Sequence, residues 1–327
     1  MPIKAIVFLL LGLIFLPVAS QLLIRGVQYL QQNRKRSRWS SFLFLALGAV
    51  LPELVLGIFC SYSYHPQLIL SAVIASSALN VLIAIPLLAL ATPVVFNVQK
   101  GEIRNVGLLL IIATLFFFLT SDSLLQGEAV DLLSRGDGLI LMLMLPIVFM
   151  LTPSPNLAEE AERETVALVV SKKQAVLTIV IGLVIIPIAG WLAVAGAVDL
   201  MYFWAVPADK VGILAIAIIT ALPEVTMAFQ SRKNVALRTG LHNDLVLSSC
   251  LNIVLVLGVV ALLGNVAAYE YMSVDSLFLV AGAFALLLFI VIGKGWQVEK
   301  HEGIMMMFLY LCFFAYVLFR EDVMHLF

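Results

Sequence analysis

The sequence predicts an all-α polytopic membrane protein with about ten transmembrane helices in two inverted five-helix repeats. Three observations predict this fold class. The 327 residues are 63% hydrophobic and only 12% charged, whereas soluble domains carry about 25% charged residues. Apolar runs of the length that crosses a bilayer, about 20 residues, recur along the whole chain. Finally, polar motifs of the first half return in the second half at an almost constant spacing.

Ten apolar segments meet the length requirement of a membrane helix. They cover residues 3–24, 41–60, 66–91, 105–121, 136–152, 174–198, 209–230, 241–265, 273–293 and 302–319. We therefore expect three regions, which are a first repeat at 1–152, a cytoplasmic linker at 153–173 and a second repeat at 174–327. The polar motifs place the functional part of each repeat in its second and third segments, at 41–91 and 209–265.

The basic residues predict the orientation of these segments. With the N-terminus outside, the inner loops hold 15 of the 19 Lys and Arg residues. The outer side holds the other four, which are Lys4, Arg135, Lys210 and Arg320. Cytoplasmic loops are enriched in Lys and Arg. The distribution therefore favours ten spans with both termini outside.

The first segment also has features of a secretory signal peptide, since it combines a basic residue, an apolar run and small residues at its end. However, "GLIFLPVAS" at 12–20 resembles "GLVIIPIAG" at 182–190, with Gly, Leu, Pro and Ala matching 170 residues apart. A cleaved leader would have no reason to resemble the sixth segment. We therefore expect a retained first helix.

The same spacing relates the two polar motifs. Leu51-Pro52-Glu53 is repeated 171 residues later as Leu222-Pro223-Glu224, and "SSALN" at 76–80 is repeated 172 residues later as "SSCLN" at 248–252. Five segments separate each pair, and because five is odd the second copy enters the membrane from the opposite side. Inverted repeats of this kind are typical of secondary transporters, whose binding site lies near mid-membrane where the repeats meet.

Two glutamates within apolar segments are the most informative polar residues. An acidic residue at the centre of a membrane helix costs roughly 2.5–3.5 kcal/mol on insertion scales, so Glu53 and Glu224 need a compensating partner. A bound cation is one such partner, and a hydrogen bond from a protonated carboxyl group to a neighbouring helix is the alternative. A proline inside a helix removes one backbone hydrogen bond. We therefore expect freed carbonyl groups near Ala49 and Thr220 to face a cavity.

The following helix of each repeat adds further oxygen atoms. Ser76 and Asn80 are four residues apart and share one helix face, as do Ser248 and Asn252. Thr220 precedes its glutamate by the same interval. Carboxylate, amide and carbonyl oxygens are ligands that suit Ca²⁺. Because the set contains no thiolate or imidazole, zinc, copper and haem are disfavoured.

The other polar residues are expected to have structural roles. Cys60, Cys250 and Cys312 lie far apart and show neither disulfide nor metal-ligand spacing. The four histidines fall in predicted loops or at segment ends, where solvated surface is the simplest interpretation. Asp244 is interpreted as a helix N-cap, with an ion relay as the alternative. The sequence has no phosphate-binding glycine loop that would indicate an ATP-driven pump.

The motifs around the two glutamates resemble those of the sodium/calcium exchanger group of the cation/calcium antiporter superfamily. Members have ten spans and two inverted repeats, each with a Gly-Thr-Ser-x-Pro-Glu-like segment followed by a Gly-Ser-Asn-x-x-Asn/Asp-like segment. The resemblance implies that Glu53 and Glu224 are ligands shared by Ca²⁺ and the counter-ion. The further ligands that it implies are Asn80, Asn252, Ser76, Ser248 and Thr220.

The sequence departs from that family pattern in its hydroxyl groups. Ala49 and Val50 stand where the family often has Thr and Ser, and Ile219 and Ala221 replace Gly and Ser. Fewer hydroxyl ligands are therefore available to Na⁺, mainly in the first repeat. Na⁺ and H⁺ both stay open as the coupling ion.

The expected function is exchange of Ca²⁺ for Na⁺ by alternating access at a mid-membrane two-glutamate site. The alternatives are proton-coupled exchange, exchange of another cation, and a non-transporting membrane protein of the same fold. An enzyme would need a reactive water or nucleophile beside the carboxylates, and the sequence indicates none. We expect no cofactor and no nucleic acid, only small inorganic cations and the lipid bilayer as partners. The compact loops fit a bacterial inner membrane.

Overall fold

Ten helices follow the ten predicted segments. The computed structural model describes residues 2–31, 39, 42–43, 46, 50–97, 101–123, 131–152, 171–231, 240–293 and 295–324. Within these ranges the helices are α1 Pro2–Gln31, α2 Leu51–Tyr62, α3 Gln67–Ala89, α4 Glu102–Leu119, α5 Arg135–Leu151, α6 Lys172–Trp204, α7 Ala208–Ser231, α8 Leu241–Leu263, α9 Met272–Ile292 and α10 Lys300–Met324. All except α2 and α5 are long and apolar enough to cross a membrane. The all-α membrane fold class is confirmed.

Some predicted boundaries differ from those of the helices. The sixth segment was expected to end at residue 198, but α6 runs for 33 residues. It continues because residues 199–206 contain neither glycine nor proline, and it ends at Ala205, which adopts a left-handed conformation two residues before Pro207. Most of the linker predicted at 153–173 lies outside the described residues, so the division of the chain into three regions stays a prediction.

Two short antiparallel ribbons show how the connections are distributed. The strands are β1 Val94–Val95, β2 Leu132–Leu133, β3 Val266–Ala267 and β4 Gln297–Val298. β1 pairs with β4, and β2 pairs with β3. The α3–α4 connection therefore lies beside the α9–α10 connection, and the α4–α5 connection lies beside the α8–α9 connection. β1 after α3 and β3 after α8 occupy equivalent places in the two halves, as inverted repeats require.

The long helices α1 and α6 pack along each other with their backbones in close approach. A Cβ atom added at Gly12 would lie 2.3 Å from the backbone nitrogen of Ala193. One added at Gly182 would lie 2.9 Å from the carbonyl oxygen of Ala19. The two matched glycines therefore have equivalent roles, since each allows its own helix to approach the backbone of the other. Only glycine leaves room for this close approach.

Within the described ranges, π-helical turns near the predicted site have defined bounds in three helices. These are Asn80–Ala84 in α3, Gly212–Ala217 in α7 and Asn252–Leu257 in α8. The turns in α3 and α8 start at the matched asparagines of the two halves. Such turns disturb the regular backbone hydrogen bonding and are frequent at functional sites. Helices α3 and α8 are also the most buried of the long helices.

Candidate functional site

The two glutamates lie on helices of opposite halves. Glu53 occupies the first turn of α2, directly after Pro52, and its side chain is buried. Glu224 follows Pro223 inside α7. Each has a buried Oε2 atom without a hydrogen-bond partner among the described residues.

The matched asparagines show the same pattern. Asn80 and Asn252 are each 2% exposed, and the Oδ1 atom of each lacks a hydrogen-bond partner within the described part of the chain. Buried polar groups are normally hydrogen-bonded, so an orphaned one requires an explanation such as a missing ion or water. Four such oxygens at related positions in two inverted halves make chance an unsatisfactory explanation.

The predicted hydroxyl groups divide into two kinds. Ser248 Oγ is buried and lacks a hydrogen-bond partner among the described residues. Ser76 Oγ donates to the carbonyl oxygen of Val73 at 3.2 Å, and Thr220 Oγ1 donates to that of Ala217 at 3.3 Å. A hydroxyl group that donates one hydrogen bond keeps lone pairs for another contact. All three therefore retain acceptor capacity.

Ser77 is a candidate that the sequence interpretation missed. Its Oγ atom is fully buried and has no hydrogen-bond partner among the described residues, unlike that of the neighbouring Ser76. The signal was present, because both halves carry a Ser-Ser pair before the asparagine. The sequence interpretation chose the first serine, four residues before Asn80, although the second serine, three residues before Asn80, lies on the same helix face. The equivalent of Ser77 in the second half, Ser249, instead donates to Leu245 O at 3.0 Å.

Helix packing brings these side chains together across the two halves. The part of α7 that carries Glu224 packs against the Asn80–Ala84 turn of α3. In the same way α2, which carries Glu53, packs against the Asn252–Leu257 turn of α8. Each glutamate helix therefore contacts the asparagine turn of the opposite half. The helices that carry the candidate residues therefore meet at the interface between the halves.

The potential ligands that this arrangement offers to a cation are all oxygen atoms. No group of three or more His, Cys, Asp and Glu residues that could hold a metal ion occurs in the described ranges. Two carboxylates supply the charge, and amide and hydroxyl oxygens are available to complete a coordination shell. This ligand chemistry suits a hard cation such as Ca²⁺ or Na⁺ better than a transition metal. Ala49, expected to contribute a carbonyl group, lies outside the described residues.

Two predictions about polar residues near the site were wrong. The N-cap of α8 is Gly240 in a left-handed conformation, and Asp244 lies inside the first turn without capping the helix. His242 was expected at the solvated surface, but it is buried and its Nε2 lies 2.9 Å from Glu102 Oε2. His242 is buried because the start of α8 packs against α4, where Asn105 also donates a hydrogen bond to Asn243.

The comparisons with known proteins agree with this architecture. A family model described as "Sodium/calcium exchanger protein" matches residues 4–152 and 173–319. The chain is 29% identical to the inner membrane protein YrbG of Escherichia coli (strain K12) over 263 residues, which cover 74% of this chain and 75% of YrbG. It is 26% identical to the putative antiporter CaxA of Alkalimonas amylolytica over 328 residues, covering 97% of this chain and 99% of CaxA.

Solved structures of the sodium-calcium exchanger NCX_Mj have the same fold. One, soaked with 10 mM Na⁺ and 10 mM Sr²⁺, matches with a TM-score of 0.63 at 21% identity over 96% of this chain and 99% of that chain. Another, soaked with 10 mM Na⁺ and no Ca²⁺, matches over the same shares with a TM-score of 0.62. At this identity the likeness shows the fold, and it extends over almost the whole chain.

Proposed function

The chain belongs to the sodium/calcium exchanger protein family, and from that membership we propose that it is a secondary-active antiporter that exchanges Ca²⁺ for Na⁺ at a two-glutamate site. The observation that carries this proposal is the set of orphaned buried oxygens. Seven side chains hold one such atom within the described part of the chain. One is Asn105 of α4, whose amide nitrogen donates to Asn243, and the other six lie on α2, α3, α7 and α8. They are Glu53, Ser77, Asn80, Glu224, Ser248 and Asn252.

The charge of the site supports coupled transport. Two ionised carboxyl groups buried without a cation are costly, so the empty, doubly charged site resists crossing the membrane. Ca²⁺ neutralises both groups in one half of the cycle, and Na⁺ neutralises them in the other. Exchange follows because the protein changes its open side only when the site is neutralised. The name of CaxA, a putative antiporter, agrees with this mode of transport.

Helices α1 and α6 are the proposed moving element. Their glycine contacts join them so closely that they can slide as one unit, since the atoms nearest to Gly12 and Gly182 are backbone atoms and one Cβ atom of the opposite helix. Helix α6 also contacts α2 through Gly190, where an added Cβ would lie 2.6 Å from Val55. Val55 lies on the same helix as Glu53. Sliding of α1 and α6 would therefore act directly on the helix that carries Glu53.

The coupling ion has two candidates because the first half has few hydroxyl groups. Val50, which replaces a family serine, is buried and apolar, and Ala221 is its buried equivalent in the second half. Sodium would then rely on amide and serine oxygens. The second candidate is a proton carried by the glutamates themselves, which the lack of hydroxyl ligands favours.

Uptake of radioactive calcium into proteoliposomes tests the proposal. The purified protein is given an outward Na⁺ gradient or an outward H⁺ gradient, beside the double variant Glu53→Gln, Glu224→Gln. Uptake driven by Na⁺ and absent from the variant is the expected result. Uptake driven only by H⁺ would make the protein a proton-coupled calcium exchanger. Equal fluxes in wild type and variant would overturn the two-glutamate site.

The proposed location is the inner membrane of a bacterium, with both termini outside. The name of YrbG, an inner membrane protein, supports the membrane, and the distribution of Lys and Arg supports the orientation. Cysteine labelling of intact cells and inverted vesicles tests the orientation. A cysteine introduced at Tyr64, in the α2–α3 connection, is expected to react only from outside.

A further inference from the structure

A buried arginine joins three helices at the end of the molecule that carries the β2–β3 ribbon. Arg320 of α10 is 1% exposed. Its Nη1 lies 3.1 Å from Asp275 Oδ2 and 3.3 Å from Asp275 Oδ1 in α9. Its Nη2 forms an ion pair with Asp209 of α7. The sequence analysis placed Arg320 among the basic residues of the outer side and did not predict its burial.

The surroundings of the guanidinium group fix its position. Tyr271 places its ring 4.3 Å below the guanidinium carbon, and the Tyr269 hydroxyl donates to Asp275 Oδ2 at 2.9 Å. Asp275 is fully buried. It is held from two directions, so α9 and α10 form a rigid support for the arginine. Asp209 is the carboxylate by which that support reaches α7.

Asp209 begins the helix that leads to the proposed cation site. It lies in the first turn of α7, directly before the π-helical turn Gly212–Ala217. Thr220 and then Glu224 follow on the same helix. The π turn packs closely on α3, where a Cβ added at Gly212 would lie 2.4 Å from the carbonyl oxygen of Leu68. The ion pair therefore fixes the end of a helix whose next turns carry candidate ligands.

We propose that Arg320 is a positioning residue, which through Asp209 holds the end of α7 so that Thr220 and Glu224 take their cation-binding places. The inference rests on the proposed function. Asp209 carries the constraint to the site, whereas Asp275 stabilises the guanidinium group, which α10 and the Tyr271 ring also hold in place. Because both ion pairs are buried, they are weakly screened by salt and geometrically strict. Lysine cannot replace this arginine, since only the guanidinium fork reaches two carboxylates at once.

Two matched variants separate positioning from general stability. Asp209→Asn and Asp275→Asn each remove one carboxylate from the same guanidinium group, and both side chains are buried. Only Asp209 lies on the helix that carries Glu224. We expect Asp209→Asn to raise the KM for Ca²⁺ uptake by about three- to tenfold, a size typical of substitutions that couple to a distant site. The KM of Asp275→Asn is expected to stay close to that of wild type, while its thermal stability falls.

The opposite pattern would overturn the proposal. If both variants lower the maximal rate and the melting temperature alike with an unchanged KM, the arginine only stabilises the fold. If Asp275→Asn raises the KM as much as Asp209→Asn does, the constraint does not pass through α7. Arg320→Lys is the third variant, and it is expected to raise the KM for Ca²⁺ uptake as Asp209→Asn does.

Hydrogen exchange distinguishes failure of this inference from failure of the proposed function. In Asp209→Asn the amides of residues 208–217 are expected to exchange faster than in wild type, and in Asp275→Asn they are expected to exchange at the wild-type rate. This measurement needs no transport. If wild type transports no Ca²⁺ but the two variants differ in hydrogen exchange as expected, the proposed calcium exchange is contradicted and the Arg320 constraint is supported. Unchanged exchange in both variants would overturn the constraint even if transport is confirmed.

Discussion

The two halves of the molecule carry the same ligand pattern on different supports. In the first half, Glu53 follows Pro52 in α2 and Asn80 starts a π-helical turn of α3. In the second half, Glu224 lies inside α7 and Asn252 starts the π-helical turn of α8. The carboxyl and amide groups match across the halves.

The supports differ at the helix ends. Arg320 holds the first turn of α7. The first turn of α8 is joined to α4 by the His242–Glu102 contact and by a 2.7 Å hydrogen bond from Asn105 to Asn243. Helix α3, the counterpart of α8, starts with a different kind of contact, which is a 3.2 Å hydrogen bond from Gln67 to the carbonyl oxygen of Ala267. The difference teaches that the polar motifs repeat in the two halves, whereas the contacts that surround them differ from one half to the other.

The largest expected effect tests the symmetric part. Glu53→Gln and Glu224→Gln should each abolish Ca²⁺ exchange, a loss of more than about 100-fold, because even an outer-shell partner of a metal costs 10- to 100-fold. Uptake into proteoliposomes measures this. The control is Glu270→Gln, an exposed glutamate outside the spans, which should retain activity. A clear difference in Ca²⁺ uptake between the two glutamate variants would show that the two halves contribute unequally to the site.

The asparagines provide a more graded test of the same symmetry. Asn80→Ala and Asn252→Ala should each raise the Ca²⁺ concentration for half-maximal uptake by about tenfold, near the lower end of the effect of groups that support a metal site. The orphaned Oδ1 atoms are the reason, since each is available to a cation. Calcium titrations of uptake compare them. Wild-type affinity in either variant would remove that amide from the site.

Much of the fold and of the site could be predicted from the sequence. The apolar segments, the constant spacing and the repeated Leu-Pro-Glu motif led to the ten-helix exchanger fold, which the family and structural comparisons confirm. The roles of the individual ligand residues stay predictions.

The features that were missed depend on contacts distant in the sequence. Arg320 pairs with Asp209 and Asp275, and His242 meets Glu102, 140 residues away. No local pattern reveals such partners. The π-helical turns were also missed, because their residues have the same apolar composition as an ordinary membrane helix.

The α1–α6 contact allows a test of packing. Gly12→Ala should destabilise the protein by about 1–3 kcal/mol, as overpacking typically does, because the new methyl group would meet the backbone of Ala193. Transport should slow as well if the two helices slide together. Thermal unfolding and uptake are measured beside Gly107→Ala, where no atom lies within 4 Å of the added Cβ among the described residues. Equal stability of the two variants would contradict this close packing.

The α4–α8 contact is expected to matter for stability and not for affinity. His242→Ala leaves the buried Glu102 without its imidazole partner, and such a loss costs about 1–3 kcal/mol. His301→Ala is the matched control, since that imidazole side chain is 69% exposed, and it should change stability by less than about 0.5 kcal/mol. Thermal unfolding measures both. A raised KM for Ca²⁺ in His242→Ala would instead connect the first turn of α8 to the site.

The smallest expected effect concerns two adjacent hydroxyl groups of α3. Ser77 has an orphaned oxygen, whereas Ser76 already donates a hydrogen bond to Val73. If an orphaned oxygen marks a ligand, Ser77→Ala should weaken Ca²⁺ or Na⁺ affinity by about two- to fivefold, the equivalent of one net hydrogen bond, and Ser76→Ala should have less effect. In α8 the order should reverse, because Ser248 is the orphaned serine and Ser249 is bonded to Leu245. Cation titrations of the four variants therefore decide whether the halves use equivalent serines, as the repeat implies, or different ones, as the hydrogen bonds indicate.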